Sequence, residues 1–190
     1  MSTMTSPADG AKPIDVAAAT AKLLGATSGN MVTYLQSCVH CGQCAAACHF
    51  YQATKDPRHT PALKLRPMLK AHRAKSSPLA WIGLAPALTE RDLRETEDLI
   101  FDTCTMCGRC TQVCPMGIDV ASIVQISRQA YAAAGLGPSD LMAAADASRD
   151  KGSPLGLTPE KLEERIEWLA DENEVDIPLD KAKADVLLTV

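Results

Sequence analysis

The sequence predicts an all-α protein, and three observations carry that expectation. Apolar residues recur at helical spacing along most of the chain, helix-starting and helix-stopping residues bracket those stretches, and only Ala184 to Val190 reads as a strand. Aromatic residues make up only 4% of the chain, so its core has to come from Leu, Ile, Val, Met and Ala. A core so poor in large rings is expected to lean on a metal or a partner for stability.

The elements follow in order. Residues 1–12, rich in Ser, Thr, Gly and Pro, read as a flexible tail. A short helix is expected next, with Pro13 in its first turn and Gly25 as its stop. Beyond a first cysteine set, Arg66-Pro67-Met68-Leu69 reads as a helix start. Thr89 to Ile100 reads as an amphipathic helix with Leu93 and Ile100 on one face. After a second cysteine set, Asp119 is the expected N-cap of the best helix in the chain. Val120, Ile123, Val124, Ile126 and Tyr131 form its buried side, and Gly135 stops it. Ser139 is expected to cap an Ala-rich helix. Thr158 with Pro159 starts a last helix, lined on one face by Leu162, Ile166 and Leu169. We therefore divide the chain into a tail (1–12), a cysteine-bearing helical domain (13–135) and a C-terminal helical extension (136–190).

The net charge of −4 gives no reason to expect nucleic acid as a partner. The longest apolar stretch, Leu79 to Leu88, is broken by Gly83 and Pro86 and is too short to span a bilayer. The first residues lack the apolar segment of a secretory signal. The expected location is the cytoplasm, with attachment to a membrane only through partners. Thiols stay reduced there, and eight cysteines then point to metal rather than disulfides.

All eight cysteines fall into two sets of the form C-x2-C-x2-C-x3-C: Cys38, Cys41, Cys44, Cys48 and Cys104, Cys107, Cys110, Cys114. Three thiolates at a spacing of two residues wrap one corner of an iron–sulfur cubane. In two-cluster ferredoxins of this spacing the fourth cysteine ligates the other cluster. Applied here, Cys38, Cys41, Cys44 and Cys114 hold one [4Fe-4S] cluster, and Cys104, Cys107, Cys110 and Cys48 hold a second. Gly42 and Gly108 share the slot after the second cysteine, where a positive φ lets backbone N–H groups approach sulfur. Pro115 follows the last cysteine of the second set, whereas His49 stands at that place in the first. Zinc is the competing reading, but a zinc site takes four ligands and does not need this whole pattern twice.

The 55 residues between Cys48 and Cys104 are too many for a compact bacterial ferredoxin. With Tyr34-Leu35-Gln36-Ser37-Cys38 and Cys114-Pro115-Met116-Gly117-Ile118-Asp119-Val120, the chain resembles the helical ferredoxin domain of heterodisulfide reductase C subunits, over residues 30–135. The resemblance implies an all-helical dicluster subunit that feeds electrons to a B-type partner bearing Cys-Cys-Gly motifs. No Cys-Cys-Gly occurs here, so the chain is expected to pass electrons without binding substrate. Relatives that fuse C-type and B-type parts exist, and residues 159–190 resemble the connection between those parts. On that basis residues 136–190 are a partner-docking arm, ended by a strand that adds to a partner's sheet.

Four histidines compete weakly as ligands. His40 and His49 read as groups beside the first cluster, and His59 and His72 as solvated. Lys55 to Lys75 carries seven Lys and Arg against the single acid Asp56, and reads as a solvated face or as a docking surface for an acidic partner. Arg109, between ligands of the second set, would favour the reduced form of the nearby cluster. Two functions other than electron relay to a B-type partner remain open at this point. They are the iron–sulfur subunit of a quinone-linked dehydrogenase of the glycerol-phosphate type, and a zinc-dependent interaction module. Iron and sulfide analysis of anaerobically prepared protein separates the last from the others: about eight of each per chain is expected from two cubanes. Stoichiometric zinc without acid-labile sulfide would contradict it.

Overall fold

The computed structural model describes residues 13–82, 84–178 and 182–183. The expected tail and the Ala184–Val190 strand candidate lie outside them. The helices are α1 (Val16–Gly25), α2 (Gly29–Ser37), α3 (Gln43–Ala47), α4 (His49–Thr54), α5 (Arg66–Ser76), α6 (Pro78–Trp81), α7 (Glu90–Phe101), α8 (Arg109–Gln112), α9 (Val120–Ala133), α10 (Ser139–Lys151) and α11 (Pro159–Asn173). Two 3-10 turns, Pro57–His59 and Pro61–Leu65, lie between α4 and α5. Among the described residues there is no strand, and the fold is all-α.

Local chemistry accounts for most of the boundaries. The α1 helix starts later than expected, because Asp15 rather than Pro13 prepares it: the Asp15 carboxylate accepts from Ala18 N at 2.9 Å. Ser28 caps α2, a helix that sequence periodicity had not picked out. Thr89 and Asp92 form a reciprocal capping box at α7, each side chain accepting from the other's backbone N–H. Asp119 caps α9, accepting from Ser122 N at 3.1 Å and from the Ser122 hydroxyl at 2.6 Å. These Ser122 bonds hold the Asp119 carboxyl below its usual range against the opposing effect of burial. Ser139 is the first residue of α10 rather than its cap. Thr158 precedes Pro159 at the start of α11 as the N-cap residue, without a side-chain cap bond.

The core joins α1, α5, α7 and α9. Ala19 and Leu23 of α1, Met68 and Ala71 of α5, Leu93 and Ile100 of α7, and Ile123, Val124, Ala130 and Tyr131 of α9 are all buried together. Ile126, expected on the same face of α9, is only half-buried. Asp15 N donates to Ala134 O at 3.1 Å and ties the start of α1 to the end of α9. Tyr131 is the largest fully buried side chain. Its hydroxyl is 2.5 Å from the Thr96 hydroxyl and its ring meets Phe101 edge-on, so the polar tip is satisfied inside an apolar shell. Burial pushes its phenol up to about 12.

The chain divides into two compact units after Pro138. The second contains α10 and α11, neither of which buries a residue, and Leu162, Trp168 and Leu169 of α11 are exposed. In the first unit the exposed apolar residues concentrate on α6 and the turn after it, where Leu79, Trp81, Ile82 and Leu84 face outward. No helix among the described residues is long and apolar enough to cross a membrane.

Removing the methyl and ethyl groups of fully buried Ile123 should open a cavity in the core. Ile123→Ala is expected to cost about 2–5 kcal/mol, read as a lowered thermal midpoint of the anaerobic holo-protein. Asp119→Ala should cost about 0.5–2 kcal/mol by stripping the α9 cap, with Asp119→Asn retaining most of it.

Candidate metal centres

The two cysteine sets build the same backbone loop twice. At matched positions His40 and Met106 have φ of 53° and 54°, and Gly42 and Gly108 have φ of 81° and 75°. The left-handed region costs an L-residue about 1–2 kcal/mol and a glycine almost nothing. A Cβ at either glycine would meet nothing within 4 Å, so glycine serves here for its conformation and not for space. Each left-handed glycine then starts a short helix, α3 or α8. Met106 N donates to Cys104 Sγ at 3.4 Å, a bond that places backbone dipole against a sulfur.

Helices α3 and α8 pack against each other. Cys48 ends α3 and Cys114 stands just beyond α8, so each reaches the loop of the opposite set. One cavity is lined by Cys38, Cys41, Cys44 and Cys114, with Ala62, Pro115 and Ile118 in its walls. The other is lined by Cys104, Cys107, Cys110 and Cys48, with Phe50, Pro61 and Val120. Their empty volumes, mouths included, are alike at about 330 and 380 Å³.

The donor sets decide what fits. Zinc in a structural site needs donors converging at about 2.0–2.3 Å from one point. Among the described residues no three Cys, His, Asp or Glu side chains converge in that way, although four thiols face each cavity. Thiols spread around a volume of this size suit a multi-iron cubane with one thiolate per iron. Burial, then the neighbouring Cys104 sulfur, pushes the Cys110 thiol up to about 11. Burial also raises Cys44, with Cys38 and Cys41 adding to the effect. Cys44 and Cys110 thus resist ionisation, and bound iron would supply the positive charge that makes a set of four thiolates tenable.

The two surroundings differ in charge. The Cys104 cavity is also lined by Lys64 and Arg109, while no Lys or Arg lines the Cys38 cavity. Lys64 is 1% exposed, and its ammonium donates to Leu99 O at 2.5 Å and to Thr103 O and Thr103 Oγ1, both at 2.9 Å. Burial pulls its pKa down, and the Cys104 and Cys48 sulfurs push back. Arg128 of α9 donates to Ile100 O, Phe101 O and Cys104 O, which pins the end of α7 to the first cysteine of the second loop.

Within the basic segment, Lys64 alone departs from the reading of a solvated face. It is sealed inside, whereas Lys55, Arg58, Arg66, Arg73 and Lys75 are exposed, Arg58 pairing with Asp98 at 2.9 Å and half-buried Lys70 with Asp92 at 2.5 Å. No local pattern marks Lys64, because its acceptors lie 35 to 39 residues away in sequence. Arg128 was likewise hidden on a helix read only for its apolar stripe. His40 lines the Cys38 cavity, but His49 lines the Cys104 cavity, because Cys48 carries it across. Of the histidines expected to be solvated, His59 is half-buried with its Nδ1 2.7 Å from the Thr54 hydroxyl at the surface, whereas His72 buries its Nε2.

Two family models described as a 4Fe-4S dicluster domain match the chain, one over residues 34–118 and the other over residues 98–154. Among curated proteins, the Hdr-like menaquinol oxidoreductase iron-sulfur subunit 2 of Archaeoglobus fulgidus is 32% identical over 165 residues. The Hdr-like menaquinol oxidoreductase iron-sulfur subunit of Archaeoglobus profundus is 30% identical over 165 residues. Each alignment covers 81% of this chain and 29% of the relative, so the chain spans less than a third of the length of these relatives. No solved structure matches. Paired thiol cavities of one build, two dicluster matches and these relatives agree: the chain is similar to Hdr-like iron-sulfur subunits, matches the 4Fe-4S dicluster domain and carries two [4Fe-4S] clusters.

Proposed function

We propose that the chain is the electron relay of a heterodisulfide-reductase-like complex and passes electrons to a B-type redox partner. The observation that carries this reading is the grouping of all eight thiols around two adjacent cavities, with none left for other chemistry. We assign Cys38, Cys41, Cys44 and Cys114 as ligands of the first cluster, and Cys104, Cys107, Cys110 and Cys48 as ligands of the second. Each cluster, when bound, stores or yields one electron. The protein's part is to hold the two sites close through the α3–α8 contact. It also presents thiolates in fixed loops and keeps apolar walls around the sulfurs. Cys41 and Cys107 are the exposed members of their sets, and electrons enter or leave most readily past them.

The relatives favour this reading over the glycerol-phosphate type, since both are named as iron-sulfur subunits of Hdr-like menaquinol oxidoreductases. Their greater length also suits a chain that works beside a B-type part, fused in some proteins and separate in others. The second unit, with its exposed α11 residues Leu162, Trp168 and Leu169, is then the docking arm. Cluster ligation needs reduced thiols, which supports a cytoplasmic complex.

Cys114→Ala should disturb the cluster of Cys38, Cys41 and Cys44, read as a changed electron paramagnetic resonance signal of one cluster only. A crystal structure with Cys114 on the same cubane as Cys104 would overturn the assignment. Deleting residues 180–190 should leave about eight irons per chain while weakening co-purification with the B-type partner. Loss of iron, or unchanged assembly, would contradict the arm. The purified chain alone is expected to show cluster reduction and oxidation but no turnover of thiols or disulfides.

A further inference from the structure

We propose that Lys64, sealed against the cavity of Cys48, Cys104, Cys107 and Cys110, makes that site the higher-potential one, so that a single electron held by the chain resides there. The inference rests on the ligand sets proposed above and adds a direction to them.

The argument begins with the charge state. Three oxygens, Leu99 O, Thr103 O and Thr103 Oγ1, surround the Lys64 amine within 2.9 Å. The Thr103 hydroxyl has the Asp98 and Leu99 carbonyls, each at 3.4 Å, to donate to, so its oxygen serves Lys64 as an acceptor. Three acceptors require three N–H donors, which only the ammonium has. At 1% exposure this charge is poorly screened, so it acts strongly on charge within the cavity it lines. Asp98 is the acid that faces it, and Arg58 already engages that carboxylate. Reduction adds one negative charge to the cluster and neither makes nor breaks a covalent bond. A fixed cation beside the site makes that step more favourable. Arg109 at the rim acts in the same sense, more weakly because it is exposed. The Cys38 cavity has no cation in its lining, so the two sites, alike in backbone and thiols, differ in electrostatics.

Lys64 also holds the end of α7, and a purely structural role would alter stability without separating the two potentials. Dithionite titration of the anaerobic holo-protein, followed by electron paramagnetic resonance, reads the difference. Two one-electron waves are expected. Cys107→Ser should alter the signal that appears first, and Cys41→Ser the second. Lys64→Met should lower the first wave by at least tenfold in the reduction equilibrium, 59 mV for one electron, and leave the second in place. Lys64→Arg should restore it. Arg109→Gln, an exposed change that spares the fold, should move the first wave in the same direction by less. If Lys64→Met does not load both clusters, the Arg109→Gln and serine variants decide. An unmoved first wave, two waves moving together, or a first signal that answers to Cys41→Ser would overturn the proposal. A wild-type chain without two waves would overturn the cluster assignment itself.

Discussion

Everything else in this molecule is arranged around one constraint: each thiol-lined cavity is closed by a cysteine from the other half of the sequence. Cys48 and Cys114 cross because α3 and α8 pack against each other, and neither loop can complete its set of four without that contact. Fifty-five residues separate Cys48 from Cys104, and they must return the chain to within touching distance of where it started. Closing a loop of that length costs entropy that the loop's own contacts have to offset. The helices between the two sets provide those contacts, which is why a protein with so few aromatic residues still needs a substantial helical core.

That core is best understood as a frame for the crossing. The first helix, α1, and the last helix of the frame, α9, pack together and are tied by the bond from Asp15 N to Ala134 O, with Leu23, Ile123 and Val124 in the same buried core. Five residues separate Cys114 from the start of α9, so the position of that helix sets where the second loop ends. At the other end of the same interval, Arg128 reaches back to the carbonyls of Ile100, Phe101 and Cys104, so α9 also sets where that loop begins. One well-capped helix thus controls both sides of the second loop. The first loop has no counterpart of Arg128 among the described hydrogen bonds, and its entry is governed by the Ser28-capped α2 and the extended Cys38 that ends it.

The duplicated loops also show how nearly identical ligand geometry can sit in unequal surroundings. Matched φ values at His40 and Met106 and at Gly42 and Gly108 follow from the local needs of wrapping a cluster corner. The cations do not follow from those needs. They come from the 3-10 turn that carries Lys64, from α8 and from α9, and all gather on the side of Cys104. Repetition of a motif therefore fixes what is bound, and the rest of the fold decides how each copy is tuned.

Several features of this protein were determined by sequence alone. The eight cysteines, their spacing, the two loop glycines and the helix starts at Asp119, Thr89 and Thr158 all depend on residues within a few positions of one another. Local chemistry of that kind is legible without knowing the fold. Even Leu93 and Ile100, one heptad apart, gave away the face of α7 that is buried. What only the tertiary structure decided was long-range. Lys64 is buried because Leu99 and Thr103 come to it across 35 to 39 residues, and a lysine in a basic run carries no mark of such partners. His49 faces the second cavity and not the first, because α3 and α8 meet. Pro13 looked like a helix start, but the helix waits for Asp15, whose backbone N–H is claimed by Ala134 at the far end of the domain. Spacing governs which thiols can share a loop, while packing of distant segments governs which loops, charges and walls they meet.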